Sequence, residues 1–346
     1  EASVLVATTF RNSQIEDNTF ENIKTQDEAE QYSSIIRIFG NYGGKYPTSV
    51  PHLQVDKNIF NEIEVSQNIL LFEEFSSPEL LSQNRFTNCK AGLALIFLSR
   101  CSTTWYFDSV LAKGIQGPFL NWLAEGTKTL TVAITTSVLA DFVLLRSHDL
   151  VNSDITHLFI YNSVVSNCRG KSGSHVFSLM SPNPESSGYS KYNHFYCNSG
   201  ADQGGVWAVS VMNFKDRFSC YDYNDARNGG GVIYANGETL IDIEGSQFVG
   251  NSAKESGGVF TLTAGARGMI KTATFEKNGV GNIIPTSFDA DQRKFEGSFE
   301  DFEISFREFY SDQWEPAIAI LASGKDRWGP FSNIKEMANE FVASPQ

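Results

Sequence analysis

Asn198, Asn224 and Asn251 are each followed six positions later by a glycine pair: Gly204-Gly205, Gly230-Gly231 and Gly257-Gly258. Asn167 obeys the same rule with one substitution, Gly173-Ser174, and Asn278 closes the series without its glycines. Successive asparagines are 31, 26, 27 and 27 residues apart. Three residues before each stands an apolar or aromatic side chain: Val164, Phe195, Tyr221, Phe248 and Phe275. Three after the first glycine stands another: Val176, Trp207, Ile233 and Phe260. A chain that repeats itself every ~20–50 residues buries the apolar face of each unit only by stacking it on its neighbours, which is the signature of a solenoid.

Local chemistry makes the unit strand-like. TLIDIEGSQF and GVFTLTAG are short, alternate apolar with polar residues, and carry β-branched and aromatic side chains between glycines. A unit of about 26 residues with two or three such strands can circle once and return in register, advancing roughly 4.8 Å per coil. These features predict an all-β fold, a right-handed parallel β-helix, with its best-defined coils over 160–284.

Outward from that core the phase persists in weaker form. NTFENI, NIFNEI and NRFTNC place Phe20, Phe60 and Phe86 two residues after an asparagine, as do Asn162 before Val164 and Asn193 before Phe195. Phe86 and Val164 are 78 residues apart, three steps of 26, with Phe107 and Val138 as markers of the coils between. Downstream, Phe306 follows Phe275, and Ala317, Ile318 and Ile320 take the positions of Val259, Phe260 and Leu262. The expectation is one domain over 1–332 with about eleven coils. Insertion loops are expected near 40–57 and 181–190, and a helical cap or tail over 333–346 built on Ile334, Met337, Phe341 and Val342.

The core motif has a physical reading. Stacked rings form an interior aromatic ladder, stacked asparagines pass amide hydrogen bonds between coils, and glycine pairs allow sharp bends where a Cβ would clash. A net charge of −13 argues against nucleic-acid or anionic-membrane partners. The longest apolar run, 91–98, is too short to span a bilayer. The chain lacks an initial Met and a signal peptide, which suggests a processed or excised part of a longer protein. Its five cysteines (89, 101, 168, 197, 220) have no metal spacing. Cys168 and Cys197 fall in consecutive coils but out of phase, about 8 Å apart, so no dense disulfide framework is expected.

The pairing of FxxN with GG resembles the repeats of the chlamydial polymorphic membrane proteins, surface-displayed adhesin-like β-helices, and more broadly the pectate-lyase-like superfamily. Phe195–Asn198, Phe248–Asn251, Phe275–Asn278 and the glycine pairs carry the match, with Tyr221–Asn224 as a near match. The resemblance implies fold and surface location. It also raises the possibility of a glycan-active enzyme, but the lyase and hydrolase signatures Asn-Thr-Asp, Gly-His-Gly, Arg-Ile-Lys and Arg-x-Pro-x-x-Arg are absent from the sequence.

Carboxylate pairs that could work on glycosidic bonds are Asp222 with Asp225, Asp289 with Asp291, and Glu300, Asp301 and Glu303. Each reads more simply as a solvated loop or outer strand face. Asp289-Ala-Asp291 is not followed by a complete calcium loop. Of the histidines, His175 shares the column of Val206, Val232 and Val259, and His194 abuts Phe195. The Thr-x-Thr row at 127–131 is a single row, not an ice-binding array. No catalytic, cofactor or metal residues are assigned. The expected function is a non-catalytic extracellular or cell-surface protein, serving as adhesive surface, rigid spacer or filament subunit. Its expected partner is a surface glycan or protein, including a copy of itself packed head-to-tail.

Overall fold

The computed structural model describes residues 3–8, 13–25, 34–40 and most of 53–280, with three short strands at 302–304, 309–311 and 318–321. The chain is an all-β parallel solenoid, and every strand pairing in it is parallel. Each of about eight turns between Leu53 and Thr263 contributes to three faces. The first face begins with Ser3–Thr8 and Ser34–Phe39 and runs to Leu120–Leu123; it continues through single bridges at Val151 to Phe177–Leu179 and on to Ile318–Leu321. The second starts at Ser13–Glu16, and the third, with strands mostly of three residues, at Thr19–Glu21. No helix occurs among the described residues. The expected helix over 333–342 and the coil total of eleven depend on residues outside them.

The core is a set of columns running along the axis. On the third face Phe60, Phe86, Ala112, Leu139, Val165, Phe195, Tyr221, Phe248 and Phe275 stand in register, one per turn, all buried. Ring centroids are 4.8 Å apart for Phe195–Tyr221, 5.0 Å for Tyr221–Phe248 and 4.9 Å for Phe248–Phe275, with interplanar angles of 20° or less. The spacing equals the strand spacing, so the rings stack because the strands do.

One turn departs from the sequence expectation by a single residue. Val165, not Val164, faces Phe195; Val164 pairs with His194 and is 37% exposed. Asn198 stacks on Cys168, not Asn167, and Phe177 rather than Val176 pairs with Trp207, so His175 lies one place before the valine column. Adjacent strand residues point to opposite faces, so a shift of one exchanges inside for outside. The column positions between Phe86 and Val165 are Ala112 and Leu139. Val138 is outward, and Phe107 belongs to the second face beside Ile134.

Both expected insertions are shorter than anticipated. Leu53–Asp56 is a strand, as is Ser187–Lys191. The second reads as a loop because it is rich in Gly and Ser, yet a Cβ on Gly188 would sit 2.6 Å from Leu179 Cδ1 and 2.7 Å from Phe214 Cδ2. That glycine makes room for two core side chains. Residues 41–52 and 181–184 lie outside the described ones. Ile318 and Ile320 pair with Phe260 and Leu262 as expected. Ser311 stands opposite Phe275, while Phe306 and Ala317 lie outside the described residues.

Candidate functional site

Each turn passes two corners that flank the short third-face strand, and the polar chemistry of the motif sits there. In one turn Phe218 has φ 54°, Ser219 follows, then Cys220–Asp222, then Tyr223 with φ 54° and Asn224. The same left-handed residue precedes the strand at Asp17, Lys57, Gln83, Ser109, Thr136, Asn162 and Tyr192, and follows it at Asn22, Glu62, Asn88, Asn167 and Cys197, while Asp141 takes the equivalent place within the strand Val138–Val143. Leaving the strand direction takes the next N–H out of the regular ladder, and a buried N–H needs another acceptor.

At the second corner that acceptor is an asparagine of the following turn. Oδ1 of Asn224, Asn251 and Asn278 accepts from the backbone N–H of Asn198, Asn224 and Asn251 at 3.2, 3.0 and 2.9 Å. Each Nδ2 in turn donates to a carbonyl of the preceding turn: Asn224 to Phe195 O, Asn251 to Tyr221 O and Asn278 to Phe248 O. Asn167 is displaced from this ladder; it occupies the corner itself (φ 53°) and donates to Asp141 Oδ1 at 3.1 Å.

A second ladder, legible in sequence only as Asn-x-Phe, lines the first corner through Asn18, Asn58 and Asn84, then Ser137, Ser163, Asn193, Ser219 and Ser246. Here again the neighbouring turn's hydroxyl or amide oxygen accepts each freed N–H. Ser163, not Asn162, holds the ladder place.

The glycine pairs follow the asparagine ladder. Gly204, Gly230 and Gly257 have φ of 70°, 64° and 59°, which an L side chain resists. Their partners face backbone of the next turn: a Cβ on Gly231 would lie 2.1 Å from Gly258 O, and one on Gly205 2.2 Å from Gly231 O. All six glycines of the motif are thus structural.

Charged side chains fasten turn to turn. Glu64 bridges Lys24 at 2.8 Å and Lys90 at 2.7 Å, and those ammoniums, Lys24 foremost, hold its carboxyl down at about 2. Buried Glu73 takes Arg37 at 2.6 Å, and Arg217 pairs with Asp242 and Glu244. Asp222 Oδ2 accepts from His194 Nε2–H at 2.8 Å on the outer third face. Asp225 lies beyond the corner at Tyr223 and accepts from Ser252 at 2.8 Å, so these two carboxyls occupy different faces. Asp289, Asp291, Glu300 and Asp301 lie outside the described residues, and Glu303 falls in the strand Phe302–Ile304.

His194 also neighbours Cys220 in register, giving a thiol, an imidazole and a carboxylate in proximity. Burial, then Asp222 and Asp216, raise the Cys220 thiol's pKa, the opposite of an activated nucleophile. Burial pushes Cys89 up to about 11 and Cys168 to about 12; none of the five cysteines forms a disulfide. His175 Nδ1 lies 3.0 Å from Asp149, and His157 Nδ1 2.9 Å from Ser187. Among the described residues no three His, Cys, Asp or Glu side chains converge as metal ligands.

Two features were not foreseen from sequence. Asp216 is fully buried in the inward column that also holds Phe107, Ile134, Ile160, Ser190 and Ile243. Tyr221 donates to it at 3.0 Å and Ser246 at 2.5 Å, and burial raises its pKa. The hydroxyl that distinguishes Tyr221 from its Phe neighbours thereby finds its partner. The other is a cavity of about 480 Å³ on the second face, lined by Gln14, Gln54, Glu79, Leu80 and Tyr106 among others. Gln14, Gln54, Leu80 and Tyr106 are successively 40, 26 and 26 residues apart in sequence, and only the solenoid register assembles them.

Together the continuous core columns and corner ladders define the class: a parallel β-solenoid. No protein-family model, curated protein or solved structure matches this chain.

Proposed function

We propose that this chain is a non-catalytic extracellular or cell-surface solenoid, a rigid body that offers its outer faces as adhesive surface or spacer. One observation carries the reading: the ion pairs seen among the described turns mostly clamp one turn to the next, as in Lys24–Glu64–Lys90 and Arg37–Glu73, rather than converging on one cleft. An anionic chain of net charge −13 suits solubility outside the cell. The resemblance of the FxxN and GG repeats to chlamydial polymorphic membrane proteins, within the pectate-lyase-like superfamily, favours the same location.

The N-terminal end favours assembly along the axis. Phe20 stacks on Phe60 at 5.0 Å but is only half-buried, and Asn18 repeats the ladder position already used by Asn58 and Asn84. A neighbouring copy packed on this end would extend the ring stack and cover the strand edges.

The test has two arms. Incubation of the purified chain with polygalacturonate and neutral glycans should release no shorter sugars, and small-angle scattering should report a stiff rod. Cleavage abolished by substituting Asp222 or Asp225 would refute the non-catalytic reading. Surface labelling of intact source cells should reach the chain; exclusive recovery from the cytosol would refute its location.

A further inference from the structure

We propose that the cavity on the second face is a binding site for a neutral oligosaccharide. Gln14, Gln54, Leu80 and Tyr106 succeed one another in a single outward row, one per turn. At one strand spacing per step the row is about 14 Å long, an elongated site rather than a point. The cavity volume of about 480 Å³ lies within the ~300–1,000 Å³ of small-molecule sites.

The lining has the chemistry a sugar requires. A pyranose offers an apolar C–H face and a rim of hydroxyls, each both donor and acceptor. Tyr106 is 44% exposed and Leu80 37%, an aromatic ring and an apolar floor on which such a face can lie. Gln14 Nε2 donates to Gln54 Oε1 at 3.3 Å, which aligns the two amides and leaves Gln14 Oε1 and Gln54 Nε2 to face a ligand. One acceptor and one donor beside a ring form a complementary set for vicinal hydroxyls.

Charge selects the class of sugar. Among the described residues lining the cavity there is no Lys, Arg or His, and their one carboxyl, Glu79, is buried and accepts from the Leu53 N–H. Against these residues a uronate or other acidic sugar would meet a carboxylate and no cation, which favours neutral sugars. A peptide adding to the Ser13–Glu16 edge would use backbone hydrogen bonds and would not depend on Tyr106, three turns away.

The site deepens the reading of the solenoid as a non-catalytic binding surface, and its test separates the two. The full chain is titrated with tetramers of glucose, mannose and N-acetylglucosamine and with tetragalacturonate, followed by saturation-transfer NMR. Saturation transfer to at least one neutral tetramer is expected, with affinity falling at least tenfold in Tyr106→Ala and in Gln54→Ala, and unchanged in Tyr189→Ala on the same face outside the cavity. Tyr106→Phe should retain most of the affinity. The three substituted side chains point outward, so far-UV circular dichroism should not change. Binding of none of the neutral tetramers, preference for tetragalacturonate, or binding that survives both Tyr106→Ala and Gln54→Ala would overturn the proposal. Absence of binding with the rod intact removes the sugar site alone, whereas cleavage of a bound tetramer removes the non-catalytic reading and leaves the site.

Discussion

Replacing Asn251 with alanine probes the amide ladder at its centre. Its Oδ1 accepts from Asn224 N–H at 3.0 Å and Asn224 Nδ2 at 2.9 Å, and its Nδ2 donates to Tyr221 O at 2.8 Å and Asn278 Oδ1 at 2.9 Å. The side chain is fully buried, so none of the four partners gains water when it is removed. At ~1 kcal/mol net per bond, with further cost for groups left unsatisfied, the loss is about 4 kcal/mol. Asn251→Leu keeps the volume and should cost nearly as much, because the deficit is in hydrogen bonds, not packing. Asn251→Asp should be no better: it keeps the acceptors but turns an oxygen toward Tyr221 O and Asn278 Oδ1. Solenoids need not unfold as one unit, so urea unfolding should be paired with hydrogen exchange at the Asn224 amide, whose protection should collapse. A loss below about 1 kcal/mol with Asn224 still protected would refute the ladder as a source of stability. Asn167→Ala is the control from outside the ladder and should fall within about 1 kcal/mol of the parent.

The remaining expectations follow from the register, the glycine contacts and the buried groups. Val165→Ala should destabilise by about 2–3 kcal/mol and Val164→Ala by less than about 0.5 kcal/mol in equilibrium unfolding, with the order reversed if the sequence phase had held. Gly231→Ala, with backbone oxygens within 2.3 Å of the new Cβ, should cost at least about 3 kcal/mol or prevent folding, read as soluble yield and circular dichroism. Asp216 has a raised folded-state pKa, so the folded chain holds that proton more tightly than the unfolded one. Its stabilisation is full below the unfolded pKa and fades as pH rises through the folded value, so Asp216→Asn should flatten the decline in thermal stability as pH rises from the ordinary carboxyl range. Native-state alkylation should modify half-buried Cys197 and Cys220 before Cys89, Cys101 and Cys168, with mass-spectrometric mapping as the check.

The period, the strand character and the parallel stacking were legible in the sequence because the asparagines and glycine pairs recur unchanged from Asn198 to Gly258. An asparagine at these corners both accepts and donates along the axis, and a glycine pressed on a carbonyl of the next turn admits no Cβ. Where the column needs only an apolar side chain, Ala112, Leu139 and Val165 serve as well as Phe195, and nothing in the sequence marks them. That latitude hid the one-residue slip at Val164-Val165, two identical residues of which only tertiary packing selects the inner. The corner residues were equally silent: Lys57, Glu62 and Tyr192 adopt positive φ without any preference of their own, because the paired strands on either side impose it. Of the neighbours that decide chemistry, His194 with Asp222 and Gln14 through Tyr106 meet across turns, and Tyr221 meets Asp216 around a corner of one turn. The repeat period determines that one turn lies on the next, but which side chains face each other depends on insertions and single-residue offsets within each turn, and those are settled only when the strands pair.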